Sequence, residues 1–523
     1  MEKVESRIRQ AVPTVRRLPI GAEVLPDGGV SFRVWAPKRQ SVQVVLSPDP
    51  GDRKPTVIVE LEREMSGSTP SVGQESGRNG GQIGSVADTA QTVGEGGYFS
   101  GIVREASDGM CYGFLLDGDS RPLPDPASRF QPSGPDGLSR IVDHRGFTWS
   151  DATWKGITIE GQVIYELHIG TLTPEGTWAA ATDRLEEIAA AGMTVIEVMP
   201  VADFLGAFGW GYDGVCMFAP TRLYGEPDDF RRFVDRAHAL GLGVILDVVY
   251  NHFGLVGCTI AEFTDDYFSR RHKNEWGSPI NFDGENCGPV REFFQANVAY
   301  WIEEFHLDGF RFDATQSIFD DTEPHILTQL QQVARKAAGG RALILLAENE
   351  PQNSRLVRPV GKGGHGFDAM CNDDFHHAAR VRLTGLTEAY YDDFAGSMEE
   401  LRSAVRGGFL YQGQFSLHQN QRRGAPARGL PATAFIHFLQ NHDQVANSGA
   451  GLRIHQLTSP GRLRAMTALW LLSPQTPMFF QGQEFCASTP FCYFADFSGK
   501  DGEAVAQGRI NFLSQFPSLN SDP

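Results

Sequence analysis

Apolar and polar residues alternate along the first 118 positions, and the pattern changes near residue 160. Strict alternation predicts strands that bury one face, as in an antiparallel sandwich. The segment 64–97 is instead rich in Gly, Ser, Thr and Gln. It carries too little apolar surface to offset its ordering entropy, so we expect a disordered insert there. The pattern therefore predicts a small all-β, immunoglobulin-like sandwich domain over 1–118. The alternating segments are 28–47, 56–62 and 98–118.

A connector over 119–158, rich in proline at its start, leads to a region where short β-branched runs alternate with helical patterns. Such alternation is typical of parallel strands joined by crossover helices, and eight of them predict an α/β fold, a (β/α)8 TIM barrel over 159–517. The loop 252–289 is too long for a simple connection, so we expect a lid subdomain. The predicted strands are 163–170, 194–201, 244–251, 309–314, 342–348, 366–372, 434–441 and 476–482. The predicted helices are 178–192, 227–241, 290–305, 325–339 and 502–517.

The composition limits the kinds of molecule that the protein is expected to bind. The formal net charge of −18 argues against nucleic acid and anionic membranes. No apolar run is long enough to span a bilayer, and residues 1–19 lack the apolar core of a secretory signal. The seven cysteines are scattered without a CxxC pair, which favours a cytoplasmic location. No phosphate-binding loop, dinucleotide fingerprint or zinc spacing occurs, so no cofactor and no metal are predicted.

Polar residues cluster where the predicted barrel strands end. The carboxyl ends of barrel strands form the active-site face. A charged side chain above the aliphatic interior costs desolvation free energy unless a partner or a function compensates. One aspartate at a strand end more often caps the following helix than it catalyses, since Asp is a favoured cap. The occurrence of such polar residues at the ends of several successive strands favours a catalytic site. These residues are Asp247, Asn251, His252, Arg311, Asp313, Glu348, His442 and Asp443.

Strand periodicity relates three of these residues. Arg311 and Asp313 are two positions apart, so both face the barrel mouth, where the arginine favours the ionised carboxylate. Glu348 ends an apolar row, and its partial desolvation raises the pKa toward that of a general acid. One ionised and one protonated carboxyl are the minimum needed to cleave a glycosidic bond. Glu350 lies on the same face if the strand continues, so spacing alone leaves both glutamates open.

Four segments resemble the signature sequences of the α-amylase-type glycoside hydrolases: DVVYNH (247–252), GFRFDA (309–314), AEN (347–349) and QNHDQ (440–444). The resemblance implies that Asp313 is the nucleophile and that Glu348 is the acid/base. It implies that Asp443 binds the hydroxyls next to the anomeric carbon. It also implies residues that bind the substrate. Arg311 orients Asp313, His252 and His442 hold sugar hydroxyls, and Tyr212 stacks on the sugar, with Trp210 and Asp213 beside it. Asp247 and Asn251 shape the site from below.

Longer segments, among them WGYDGV (210–215) and NDDFHH (372–377), resemble the malto-oligosyltrehalose trehalohydrolases in particular. The resemblance implies cleavage of the α-1,4 bond beside a terminal trehalose, a glycogen-binding-module-like sandwich, and a malto-oligosyltrehalose synthase as functional neighbour. This chain differs from the usual sequence of those enzymes at AEN (347–349), at QGQEF (481–485) and at ANSG (446–449). The family's C-terminal β-domain is expected to be absent.

Two alternatives remain open from the residues alone. A glycogen-branching or debranching enzyme shares the barrel and the three carboxylates and differs in the acceptor. A non-catalytic glucan-binding protein retains the fold without turnover. The intact Asp313, Glu348 and Asp443 disfavour the second alternative, because clustered charge is costly to keep.

Overall fold

A computed structural model describes residues 16–50, 55–65, 96–448 and 450–520. The insert expected over 64–97 lies almost entirely outside these residues. Among the described helices, none is both long and apolar enough to cross a bilayer.

The N-terminal part is a sandwich of two four-stranded antiparallel sheets. Its strands are β1 (Gly21–Val24), β2 (Val30–Trp35), β3 (Val42–Ser47), β4 (Val57–Glu60), β5 (Glu62–Arg63), β6 (Tyr98–Val103), β7 (Cys111–Leu116) and β8 (Ser139–Arg140). The sheets run β1-β2-β6-β5 and β4-β3-β7-β8, and their facing side chains form one apolar core. The sequence pattern did not reveal β8, which lies in the expected connector, because two residues are too few to show alternation.

Eight parallel strands close into a barrel, as the alternating pattern predicts. Around the barrel they are β9 (Ile164–Leu167), β10 (Val195–Val198), β13 (Gly243–Val248), β14 (Gly309–Phe312), β15 (Ile344–Ala347), β16 (Ala369–Cys371), β19 (Phe435–Phe438) and β20 (Thr476–Phe480). Two short antiparallel pairs lie in the connecting loops: β11 (Ala202–Asp203) with β12 (Cys216–Pro220), and β17 (Gln414–Ser416) with β18 (Gln421–Arg423).

Helices cover the barrel. They are α1 (Ile169–Leu172), α2 (Trp178–Thr182), α3 (Leu185–Ala190), α4 (Pro227–Ala239), α5 (Ile260–Phe263), α6 (Cys287–Glu304), α7 (Ile326–Ala337), α8 (Asp373–Thr384), α9 (Met398–Gly407), α10 (His442–Ala446), α11 (Pro460–Leu471), α12 (Gly499–Leu513) and α13 (Pro517–Asn520). The single helix predicted at 178–192 is divided into α2 and α3. There the Thr182 hydroxyl donates to the Trp178 carbonyl at 2.8 Å and competes with the helical ladder. The pattern missed α8 because nearly every side of it is buried, which removes the amphipathic period.

The loop expected as a lid joins the barrel to the sandwich. It contains α5, whose Phe263 packs in the sandwich core. Trp35 of β2 meets Tyr267 edge-on, with ring centroids 5.1 Å apart. Lys38 pairs with Asp265 and Asp266 at the same junction. These contacts anchor the outer end of the loop, while its first residue, His252, lies at the barrel mouth.

The barrel interior is layered along its axis. At the amino end the inward residues are aliphatic, among them Ile164, Val195 and Ile245. Two residues further along the strands, the inward positions become charged. The registers place Glu166 beside Glu197, and Asp247 beside Arg311. The packed apolar layer therefore supports a charged layer directly beneath the mouth.

Candidate active site

The guanidinium of Arg311 is the centre of the charged layer. Its Nη1 donates to Asp247 Oδ2 and to Asp313 Oδ1, both at 2.7 Å. Its Nη2 lies 2.9 Å from Glu348 Oε2. Arg311 is almost fully buried, with 3% of its side-chain surface exposed, so solvent screens these pairs little. One arginine thereby holds three carboxylates from three successive strands.

Asp313 is held through both oxygens. Arg311 binds Oδ1, and the Asn251 amide donates to Oδ2 at 2.8 Å. Burial raises the pKa of Asp313, and the charge of Arg311 only partly offsets this rise. The expected effect of the arginine is present, but the cost of desolvation exceeds it. The carboxylate is thus positioned rigidly and kept more basic than it would be in water.

Glu348 directly follows β15 and turns into the mouth. Its Oε2 accepts from the Ala314 backbone N–H at 2.9 Å. Ala314 has a φ of +40°, a left-handed backbone that a non-glycine residue rarely adopts and that often accompanies function. Burial raises the pKa of Glu348 to about 7. Near neutral pH this carboxyl can therefore both give and take a proton.

Glu350 points elsewhere. β15 ends at Ala347, so the face that Glu348 continues does not extend to residue 350. Glu350 is half exposed, with 51% of its side-chain surface accessible, and pairs with Arg423 at 2.5 Å. Gln419 also donates to it. Of the two glutamates that spacing left open, the structure brings Glu348 to Asp313.

Asp443 lies across the mouth at the start of α10. His442 Nε2 is 3.3 Å from Asp443 Oδ2, and His442 Nδ1 contacts Glu166 Oε1 at 2.5 Å. Burial opposes ionisation of Asp443, but the adjacent His442 outweighs it and lowers the pKa of Asp443 below its usual value. With 38% of its side-chain surface exposed, Asp443 is the most open of the three carboxylates. It can therefore accept hydroxyl groups of a ligand as an anion.

Aromatic side chains form one wall of the mouth. The Tyr212 hydroxyl donates to Asp247 Oδ2 at 2.6 Å, and its ring lies nearly parallel to that of His442, with centroids 5.2 Å apart. Trp210 meets His442 edge-on and donates to the Cys492 carbonyl at 3.1 Å. Between them, Gly211 has a φ of +101°, and a Cβ there would lie 2.1 Å from the Pro200 carbonyl oxygen. Only glycine permits this turn, which directs Tyr212 into the mouth.

The remaining predicted residues occupy distinct positions. His252 is buried beside Asn251, which it contacts through Nδ1. Burial lowers the pKa of His252 to about 4, so the imidazole is neutral. Asp247 lies beneath the site, as expected, and Asn251 contacts Asp313 directly. Asp213 is half buried, and no hydrogen bond to its carboxyl occurs within the described part of the chain.

Two carboxylates were missed by the sequence pattern. Glu166 accepts from the backbone and ring of His442 and so fixes that imidazole. Glu197 is buried beside it, and desolvation raises the pKa of Glu197 to about 8. Each interrupts an apolar strand, IYEL and VIEV. A lone acid within an apolar strand is the signal that could have found them.

One group outside the mouth has metal-ligating geometry among the described residues: His272, Asp283 and Asp321. His272 and Asp283 lie in the loop 252–289, and Arg271 already contacts Asp283 at 2.9 Å and Asp321 at 2.8 Å. The arginine supplies the positive charge that a cation would bring. These residues therefore fit an ion pair better than a metal site.

The arrangement agrees with comparisons to known proteins. The family model described as the alpha amylase catalytic domain matches residues 127–285. A malto-oligosyltrehalose trehalohydrolase from Deinococcus radiodurans is 42% identical over 416 residues, which cover 79% of this chain and 67% of the relative. One from Saccharolobus solfataricus is 38% identical over 499 residues, covering 95% and 81%.

A solved structure gives the same result for the fold. A putative alpha amylase from Salmonella typhimurium superposes with a TM-score of 0.83 at 38% sequence identity, covering 95% of this chain and 78% of that one. The closed barrel, the carboxylates gathered by Arg311 and these similarities lead to one conclusion. The chain belongs to the malto-oligosyltrehalose trehalohydrolases, within the α-amylase family of glycoside hydrolases.

Proposed function

We propose that this protein hydrolyses the α-1,4-glucosidic bond next to the terminal trehalose of malto-oligosyltrehalose and releases trehalose with retention at the anomeric carbon. The observation that supports it most is the sharing of Arg311 by Asp313 and Glu348. Two carboxyls on one guanidinium lie close together. This favours the retaining arrangement, with carboxyls about 5 to 5.5 Å apart, over the wider inverting one.

In the first step Asp313 attacks the anomeric carbon and the glycosidic C–O bond breaks. Asn251 and Arg311 hold the attacking carboxylate in place. Glu348 gives its proton to the departing oxygen. Its Oε2 is engaged by Ala314 and Arg311, which leaves Oε1 to reach the substrate. The product of this step is a glucosyl ester of Asp313.

In the second step water attacks the same carbon. Glu348, now ionised, takes a proton from the water, and the ester bond to Asp313 breaks. A pKa of about 7 suits Glu348 to both proton transfers. Asp443 accepts hydrogen bonds from hydroxyls of the bound glucose, and the Tyr212 ring packs on that sugar. His442, fixed by Glu166, carries the positive charge that keeps Asp443 ionised.

The finer assignments depend on the relatives. Trehalose as the leaving group follows from the names of the two trehalohydrolases compared above. An enzyme that builds trehalose onto the end of a glucan is then required to supply the substrate, which makes a malto-oligosyltrehalose synthase the functional neighbour. A cytoplasmic location is part of the proposal and is supported by the scattered cysteines.

A product assay tests the proposal. The purified protein is incubated with malto-oligosyltrehalose and, separately, with plain malto-oligosaccharides, and the products are separated chromatographically. Free trehalose from the first, with little change in the second, is the expected result. Branched or redistributed chains in the second would instead identify a glucan transferase. No product in either, from a folded sample, would support a glucan-binding protein without turnover.

A further inference from the structure

One carboxyl at the barrel mouth has no function in the mechanism above. Asp373 begins α8, two residues beyond the end of β16, the strand next to the one that delivers Glu348. Only 8% of the residue is exposed. Within the described residues no hydrogen bond or ion pair engages its side chain. Its neighbour Asp374, by contrast, accepts from Arg423 Nε at 3.1 Å and from the Tyr411 N–H at 2.7 Å.

A buried carboxyl without a partner is costly and calls for a ligand. The charged groups facing Asp373 are Arg423, Glu348, Glu350 and Asp374. Arg423 uses Nε for Asp374 and Nη1 for Glu350, whereas its Nη2 is buried and meets no acceptor among the described residues. The Asp373 carboxyl, which accepts no hydrogen bond from the described residues, and Arg423 Nη2, which donates none to them, therefore lie in one corner of the mouth. Neighbouring hydroxyls of a sugar both donate and accept, and they complement such a corner.

The position of this corner identifies which sugar would occupy it. Glu348 protonates the oxygen between the glucose held by Asp313 and the departing sugar. Tyr212, His442 and Asp443 surround the first of these sugars. Asp373 follows β16, which lies between the strand that delivers Glu348 and the strand that leads to Asp443, and its charge interacts with that of Glu348. The oxygen that Glu348 protonates stays with the departing sugar, so a sugar that contacts both Glu348 and Asp373 is the one that leaves.

We propose that Asp373 binds hydroxyls of the leaving sugar, the first glucose of the departing trehalose. The inference rests on the proposed function for the identity of the leaving sugar. Burial raises the pKa of Asp373 to about 8, so at neutral pH the carboxyl is protonated. It then offers one O–H donor and one C=O acceptor. An asparagine side chain offers the same pair, and alanine offers neither.

Two substrates separate leaving-group binding from catalysis. Malto-oligosyltrehalose places a sugar beyond Glu348, whereas α-maltosyl fluoride loses fluoride and places none there. Asp373→Ala is expected to lower kcat/KM on the oligosaccharide about 10- to 100-fold, and on the fluoride less than about 2-fold. Asp373→Asn is expected to stay within about 5-fold of the wild type on both. Trehalose should inhibit the alanine variant less strongly than it inhibits the wild type.

The control is Glu399→Gln, which also removes a carboxylate from the first turn of a helix but on the exposed surface of α9. It should leave both substrates unaffected. Equal losses of Asp373→Ala on the two substrates would place the residue in the catalytic centre or in folding, and would overturn the proposal. No loss on either substrate would also overturn it. If the wild type releases a sugar other than trehalose, the proposed function fails. The ratio of kcat/KM on the oligosaccharide that is cleaved to kcat/KM on the fluoride then still tests whether Asp373 binds the leaving sugar.

Discussion

Strand β14 is flanked by two aspartates whose surroundings differ. Asp308 precedes it at the bottom of the barrel, and Asp313 follows it at the mouth. Asp308 is fully buried and accepts from Trp154 Nε1 at 2.7 Å, His238 Nε2 at 2.9 Å and the Val244 N–H at 2.9 Å. Asp313 has Arg311 and Asn251, and its surroundings leave it open to the cleft. Both are carboxylates next to one strand, so residue type alone does not separate their roles.

The difference extends to the neighbours. At the bottom, His238 bridges Asp308 and Asp151, with Asp151 at 2.8 Å. Burial by itself would lower the pKa of His238, but hydrogen bonds to the two carboxylates raise it above its usual value. Every charge there has a protein partner. At the mouth Asp247 Oδ1 and Glu197 Oε2 are buried with no hydrogen-bond partner among the described residues. Charges that are all paired stabilise the fold, whereas buried charges with unfilled hydrogen-bonding positions and shifted pKa values are typical of a functional site.

Replacement of Asp313 by Asn is the largest expected change in activity. Loss of the nucleophile should lower kcat by at least about 10⁴-fold while glucan binding remains nearly intact. The measurements are steady-state rates and calorimetric binding of a malto-oligosaccharide. Because burial raises the pKa of Asp313, the ionised carboxylate opposes folding at neutral pH, so the variant should unfold no more easily than the wild type. Unchanged turnover would refute the assigned nucleophile.

Asp308→Asn should show the reverse pattern. It removes one carboxylate from a saturated cluster and leaves His238 with a weaker partner, so the free energy of unfolding should fall by about 2 to 4 kcal/mol. Turnover per folded molecule should change less than about 2-fold. Urea unfolding and active-site titration measure the two quantities. A large loss of turnover in the folded protein would show that the bottom cluster acts on the mouth.

The smallest expected effect concerns pH and Glu348. The pKa of Glu348 is raised to about 7 from 4.5, so the folded state holds its proton more tightly between these values. Stability from this group is therefore present at low pH and declines as pH rises toward 7. Relative to wild type, Glu348→Gln should gain roughly 2 to 3 kcal/mol of unfolding free energy between pH 5 and pH 8. An equal difference at both pH values would contradict the shift.

The protonation of Glu348 also predicts how kcat depends on pH. The first step needs the protonated carboxyl, so kcat should fall as pH rises above about 7, the value of the Glu348 pKa. Glu399→Gln, on the exposed surface, should keep the wild-type profile. A profile that is flat to pH 9 would assign the acid function to another group.

The periodic segments were the most predictable part of the fold. All eight barrel strands were located, because each is a short, mostly apolar run and most are buried on both faces. The two-residue strand β8 and the mostly buried α8 were not, since neither shows a clear period. At the site, Arg311 and Asp313 were paired correctly from their two-residue spacing. Glu166 was missed because the pattern treated its strand as an apolar unit.

Periodicity and short motifs are properties of neighbouring residues, so the amino-acid sequence was enough to predict the barrel, the order of its charged strand ends and the family. Spacing and residue type left Glu348 and Glu350 open and did not distinguish Asp373 from Asp374, so these two pairs were separated by the tertiary structure; for Glu348 and Asp313 the family resemblance had already implied roles. In each pair the residues are alike in type and close in the chain. They differ in which hydrogen-bond partners reach them from other strands and loops. That choice depends on barrel closure, which joins residues far apart in sequence and leaves no local pattern.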